Sequence, residues 1–185
     1  MATKHFLTGR QLESLTSPVR LAIVQRLEID RKATARELAR RIGRSVTSLY
    51  HHLNALEDVG VLRIVGEREG TRRPEAIYAL VADYLSSAEA VKTRRGRKTY
   101  GRSAVRVAEA GARAFSAAME RGQPRFQGKE RNALVRFYAL RANSAKLAEL
   151  NALLNALDDA AMRGSDEGEE IQLTILLSPP NTRSG

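Results

Sequence analysis

Apolar positions along the first half of the chain recur at helical spacing in three successive blocks and then gather into two β-branched runs. Thr8-Gly9-Arg10-Gln11 has the spacing of a capping box and predicts a short helix to about Leu15. Ser17-Pro18 is a second helix start, with serine as the cap and proline at the first helical position, where its missing N–H costs nothing. That helix is expected to run to about Glu28 with Leu21, Val24 and Leu27 on one face, and Asp30-Arg31-Lys32 follows as a connecting loop. Thr34 and Glu37 form another capping-box pair, Leu38, Ala39 and Ile42 supply an apolar stripe, and Gly43 supplies the left-handed stop. Ser45 can cap the next helix, whose Leu49, Leu53 and Leu56 face inward before Gly60 ends it. Val46, Thr47, Tyr50, His51 and Asn54 are left on its outer side, where they can bond or touch the edges of bases. Val61–Val65 and Ala76–Val81 read as strands, and the turn-forming, charged stretch 66–75 between them makes the pair a β-hairpin.

The second half is patterned differently. A short helix is expected over 81–90, and the basic run Lys92–Lys98 reads as a linker or a frayed helix start. Tyr100, Ala104, Val107, Gly111, Ala114, Phe115 and Met119 predict a long helix over 99–121, broken by Gly122-Gln123-Pro124. Residues 133–140 fit a strand or a helix start, and their β-branched and aromatic content favours the strand. Asn143-Ser144 opens a helix to about Met162, with Leu147, Leu150, Leu154, Leu157 and Ala161 in one stripe; Ile171–Leu177 reads as a strand. Strands need partners for their backbone groups, so 133–140 and 171–177 are expected to pair in a small strand-helix-strand unit. The last residues are expected to be disordered.

Composition narrows what these elements do. The chain has 185 residues, enough for one domain with an extension or for two small ones. The absence of cysteine excludes disulfides, thiolate metal sites and thiol redox switching. No signal-peptide pattern opens the chain and no apolar run is of membrane-spanning length, so a cytoplasmic protein with no membrane partner is expected. The net charge is +10 and unevenly placed: residues 1–80 carry 14 Lys/Arg against 9 Asp/Glu, and residues 91–131 carry 12 against 3. Excess positive charge attracts polyanions through counterion release, and nucleic acid is the favoured partner over charge kept for solubility alone.

The order of helix, helix-turn-helix and β-hairpin wing resembles the winged helix-turn-helix of ArsR-type bacterial transcription regulators. The resemblance is carried by Leu15-Thr16-Ser17-Pro18-Val19-Arg20-Leu21, Ala35–Ala39, Ser48–Leu53 and Arg73-Pro74 with Tyr78, and covers residues 8–82. It implies a mainly α, α+β fold. Domain 1–90 would be a winged helix-turn-helix, and 91–185 a helical and strand region for dimerisation and effector sensing. It also implies that Val46, Thr47, Tyr50 and His51 face the floor of the major groove and that Arg44 and Ser45 reach phosphate. Arg68, Arg72 and Arg73 of the wing would follow phosphates or enter the minor groove. The run 92–98 is either a flanking phosphate contact or a solvated linker. His52, next to Leu53, reads as a hydrogen-bonded structural histidine. The loose match of the C-terminal half extends to the C-terminal extensions of some relatives of this family.

Catalytic motifs are missing: there is no Ser-x-x-Lys, His-Glu-x-x-His, Gly-x-Ser-x-Gly or phosphate-cradling glycine loop. Asp158-Asp159 are helix neighbours pointing about 100° apart and suit a solvated face. Metal-sensing members of the resembled family bind through Cys clusters or Asp/His sets absent here, so no metal and no cofactor is expected. The implied function is a sequence-specific DNA-binding repressor, not an enzyme, acting as a homodimer on a pseudo-palindrome. A small-molecule effector stays open as a further partner. The helix over 99–121 and the 147–161 stripe are candidate dimer surfaces, with intramolecular core favoured for the latter. A non-specific architectural DNA binder, a winged-helix protein-interaction module and a small enzyme with a basic lobe are the competing readings.

Overall fold

The computed structural model describes residues 3–70, 73–122, 124–164 and 167–179. Its order is β1 (Lys4–Phe6), α1 (Gly9–Ser14), α2 (Pro18–Asp30), β2 (Lys32–Thr34), α3 (Ala35–Ile42), α4 (Val46–Asp58), β3 (Leu62–Arg68), β4 (Glu75–Leu80), β5 (Tyr84–Ser86), a 3-10 turn (Ala90–Lys92), α5 (Arg94–Glu120) and α6 (Ser144–Arg163). The chain divides into two compact units, Met1–Ala114 with Leu173–Gly185, and Phe115–Gln172.

The start signals in the first unit act as their residue types dictate. Thr8 and Thr34 each accept the N–H three residues on, at 3.3 Å, while Gln11 and Glu37 reach back to the cap N–H at 2.8 Å. Gly43 closes α3 at φ 70° and ψ 41°, the left-handed conformation in which glycine has no Cβ to clash. Ser17 stands at the cap of α2 without a side-chain bond; Pro18 sets the first turn instead. Leu27, Ile23, Leu38, Leu49, Leu53 and Leu56 interlock as a three-helix core with Val61, Leu62 and Tyr78. Leu21, expected inside, is half-buried, and Ile23 takes the inward position on α2.

The hairpin has grown relative to its sequence signal. Its strands extend to Arg68 and from Glu75, leaving a shorter tip than 66–75. A bulge between Ile64 and Gly66 shifts the register, with Gly66 at φ 158°. A third strand joins it: β2 pairs antiparallel with β4 (Ala33 opposite Tyr78), placing β4 at the centre of the order β2-β4-β3. The stretch expected as a loop at Asp30–Lys32 therefore runs straight from α2 into a strand.

The short helix expected over 81–90 is replaced by β5 and the 3-10 turn. Residues 84–86 pair in parallel with Lys4–Phe6, far away in sequence, and Leu7 donates to the Ser86 carbonyl at 2.8 Å. Asp83 locks this closure by accepting from both the N–H and the hydroxyl of Thr3 at 2.8 Å, bonds that hold its carboxyl below the usual range. The run 92–98 is largely helical: α5 begins at Arg94. Its buried face is Gly96, Thr99 and Ser103, whereas Tyr100 of the expected stripe is exposed. Arg102 and the Thr99 hydroxyl both donate to Glu13 of α1, at 2.7 and 3.0 Å, fastening the start of α5 to the N-terminal helix.

In the second unit α6 forms where expected, with Asn143 Oδ1 accepting from Lys146 N at 3.0 Å. The two flanking strands do not form: 133–140 and 171–177 are assigned neither strand nor helix. β propensity describes a residue's fit to a pleated surface, and a strand exists only where a second one takes its backbone bonds. The stripe Leu147–Ala161, expected to be core, is not: no α6 residue is buried. A polar clasp joins the ends of this unit, with Arg125 paired to Glu169 and Asn132 donating to Glu169 at 3.0 Å. Among the described residues no helix is long and apolar enough to cross a membrane.

Candidate nucleic-acid interface

α4 is built to hold one face in and one face out. Leu49, Leu53 and Leu56 are buried at spacings of four and three, so positions 47, 50, 51 and 54 turn away from the core. Thr47, Tyr50, His51 and Asn54 are accordingly exposed, as are Arg44 and Ser45 in the preceding turn. Ser45 Oγ accepts from Ser48 N at 3.3 Å and fixes the helix start. Val46, expected on the outer side, is half-buried and packs partly on the core. Its apolar side chain faces both ways, with part of its surface in the cleft described below.

His51 and His52 stand edge to face with ring centroids 5.5 Å apart. His51 is exposed and His52 half-buried. The hydrogen bond expected of His52 is missing at Nδ1, which is buried and has no partner among the described residues. Burial first, and then electrostatic repulsion from His51, Arg20 and Arg44, hold His52 below the usual imidazole value.

The wing basic residues are not equivalent. Arg73 is exposed. Arg68 Nη1 donates to Glu37 Oε1 at 2.7 Å, so the far end of β3 is tied to the capping residue of α3. Arg72 lies outside the described residues. Arg36, which the sequence does not single out, pairs with Glu75 at 2.8 Å, linking the first turn of α3 to the start of β4. In both pairs the arginine is largely in solvent, and such surface pairs contribute at most about 1 kcal/mol each. They orient the wing more than they stabilise it. Arg36, Val46, Thr47, Tyr50, Arg73, Pro74 and Glu75 line a cleft of about 530 Å³ between the start of α4 and the base of the wing. The site thus brings Thr47, Tyr50 and Arg73 together around one hollow and turns Arg68 aside toward Glu37. No sequence signal marks Arg36, because its relation to Glu75 exists only once β4 lies beside α3.

Glu37 combines two duties. It accepts the Thr34 N–H and the Arg68 guanidinium, and the first of these bonds is the main reason its carboxyl lies below the usual carboxylate range. A carboxylate stabilised in the folded state contributes above its unfolded pKa and loses that contribution as pH falls through the lower folded value. Acid titration of stability is expected to show wild type more stable than Glu37→Gln by a steady margin above the ordinary carboxylate range, the margin closing as pH falls from that range through the lower folded value. Parallel curves across that window, measured by denaturant unfolding at each pH, would remove Glu37 from this role.

Comparison with known proteins agrees with the geometry over one stretch. Residues 15–65 match the family model of a helix-turn-helix domain, from the end of α1 into β3. A domain of this kind points to DNA binding and transcription regulation. No curated protein matches the chain.

Proposed function

We propose that this chain is a sequence-specific DNA-binding transcription regulator of ArsR-like type. It acts as a homodimer on a pseudo-palindromic operator and represses by occupying a promoter. The helix-turn-helix match at residues 15–65 is the premise. The observation that carries the reading is the outward set Thr47, Tyr50, His51 and Asn54 on a capped helix whose opposite face is fully buried. A rigid helix of this kind lies in the major groove with its first turns at the base edges. Thr47 and Val46 offer methyl groups to thymine, His51 and Tyr50 offer bonds to purine acceptors, and Asn54 offers both donor and acceptor. Arg44, Ser45 and Arg73 lie where phosphates flank such a helix, and Arg68 reaches them by leaving Glu37. One helix covers few base pairs, so two copies related by a two-fold axis read a longer site. Residues after 90 serve, in this reading, for pairing the copies and for sensing an effector; no catalytic step, cofactor or metal takes part.

Selection of bound duplexes from a random library, read at two salt concentrations, tests this. Wild type is expected to enrich a two-fold-related motif with half-sites about one DNA turn apart. Tyr50→Ala with His51→Ala is expected to weaken binding to that motif by about 10-fold or more while leaving affinity for random duplex nearly unchanged. Salt-dependent binding without enrichment would favour an architectural DNA binder. No salt-dependent binding at all would favour a protein-interaction module and sink the proposal.

A further inference from the structure

We infer that the cleft between α4 and the wing is a seat for a nucleic-acid backbone phosphate, with Arg36 and Arg73 as its cations and Glu75 as a carboxylate stand-in that must yield. The inference rests on the DNA-binding reading above and adds to it a contact and a gate.

The cleft is walled by three elements: Arg36 from the first turn of α3, Val46, Thr47 and Tyr50 from the start of α4, and Arg73 to Glu75 from the wing. Its chemistry is that of an anion site already holding an anion. The Arg36 guanidinium meets Glu75 Oε1 at 2.8 Å, while two-thirds of the Arg36 side chain stays in solvent and Glu75 is about one-fifth exposed. Glu75 is anchored by its place in β4, opposite Arg68 in the ladder. Arg36 is the more exposed member of the pair, and its long side chain can turn toward a ligand without backbone movement. A phosphodiester carries the same single negative charge as a carboxylate and also accepts a two-pronged guanidinium contact. Thr47 and Tyr50 add hydroxyl donors on the wall that a phosphate would meet. An ion pair whose guanidinium is largely in solvent is weak and easily exchanged, so the carboxylate is a competitor that a phosphate can replace. Once replaced, Glu75 is left facing a second anion, which opposes binding. The opposed charge lowers affinity for every sequence alike, because phosphates carry no sequence information.

The test uses the full chain, a fixed 30-base-pair duplex carrying the selected motif and a random duplex of equal length. Dissociation constants are measured across a range of salt concentrations, and the fold of each variant is checked by circular dichroism. Arg36→Ala is expected to weaken binding to both duplexes by a similar factor and to reduce the slope of log affinity against log salt by about 1. Arg36→Lys is expected to restore the slope but only part of the affinity, since a point charge lacks the two-pronged contact. Glu75→Gln is expected to tighten binding to both duplexes about 3-fold or more at low salt, with the gain shrinking as salt screens the repulsion. The inference is overturned if wild type binds while Arg36→Ala keeps wild-type affinity and slope, or if Glu75→Gln binds more weakly than wild type. Failure of wild type to bind either duplex strikes the DNA-binding reading itself, so the two failures are told apart.

Discussion

Leu53→Ala is expected to lower the free energy of unfolding by about 2–5 kcal/mol, a large share of the stability of a small domain. Leu53 has no exposed surface and sits midway along α4, between Leu49 and Leu56, which are equally enclosed. The substitution removes apolar contacts and leaves a void that neighbours on α2, α3 and β3 fill only in part, because each is itself held by a strand, a cap or a glycine stop. The functional consequence follows from geometry. The outward positions are presented only while the inward leucines fix the rotation of α4, so loosening the core frees the helix to turn about its axis. Chemical denaturation monitored by circular dichroism measures the stability change, and duplex binding at a temperature where the variant stays folded measures the presentation. A loss under about 1 kcal/mol would mean that α4 is supported from elsewhere.

Gly96→Ala is expected to destabilise the first unit at the upper end of the ~1–3 kcal/mol range for overpacking. Gly96 lies in the first turn of α5, buried against the 3-10 turn, and a Cβ there would stand 1.7 Å from the Ala90 carbonyl oxygen. No rotamer relieves that overlap, since both atoms belong to or join the backbone. Thr93 fixes the approach from both sides: its hydroxyl donates to Ala90 O at 3.4 Å and accepts from Gly96 N at 2.9 Å. Either the turn moves or α5 shifts, and a shift of α5 pulls Thr99 and Arg102 from Glu13. Hydrogen exchange is expected to show lost protection in the first turns of α5 together with β5, while α3 and α4 keep theirs. Unchanged protection across 84–103 would mean that the turn absorbs the methyl group at little cost.

Much of the first unit was legible along the chain because its signals are local. A capping box needs only residues three apart, a glycine stop only one residue, and an inward leucine stripe only the helical repeat. Thr34 with Glu37, Gly43, Ser45 and the leucines at 49, 53 and 56 all fall in this class, and each adopts the structure its type favours. Long-range pairing leaves no such mark. The sequence around Tyr84 reads as helical in isolation, yet it becomes a strand because Lys4–Phe6 lies alongside. Residues 133–140 and 171–177 have strand composition and form none, because no neighbour takes their backbone bonds. The run Lys92–Lys98 reads as a linker or a frayed helix start, and the need for glycine at 96 shows only once the Ala90 carbonyl lies against it.

The candidate site divides along the same line. Which residues of α4 face outward follows from a repeat of 3.6 residues, so Thr47, Tyr50, His51 and Asn54 could be named from the chain alone. Which wing cations face them could not: Arg68 turns to Glu37, Arg73 stays exposed at the cleft, and Arg36 enters from a helix that carries no basic signature distinct from its neighbours. Periodicity is a property of consecutive residues and is written in their order. The partner of a charge is set by whichever element folds back beside it, and that was decided only when β4 settled between β2 and β3.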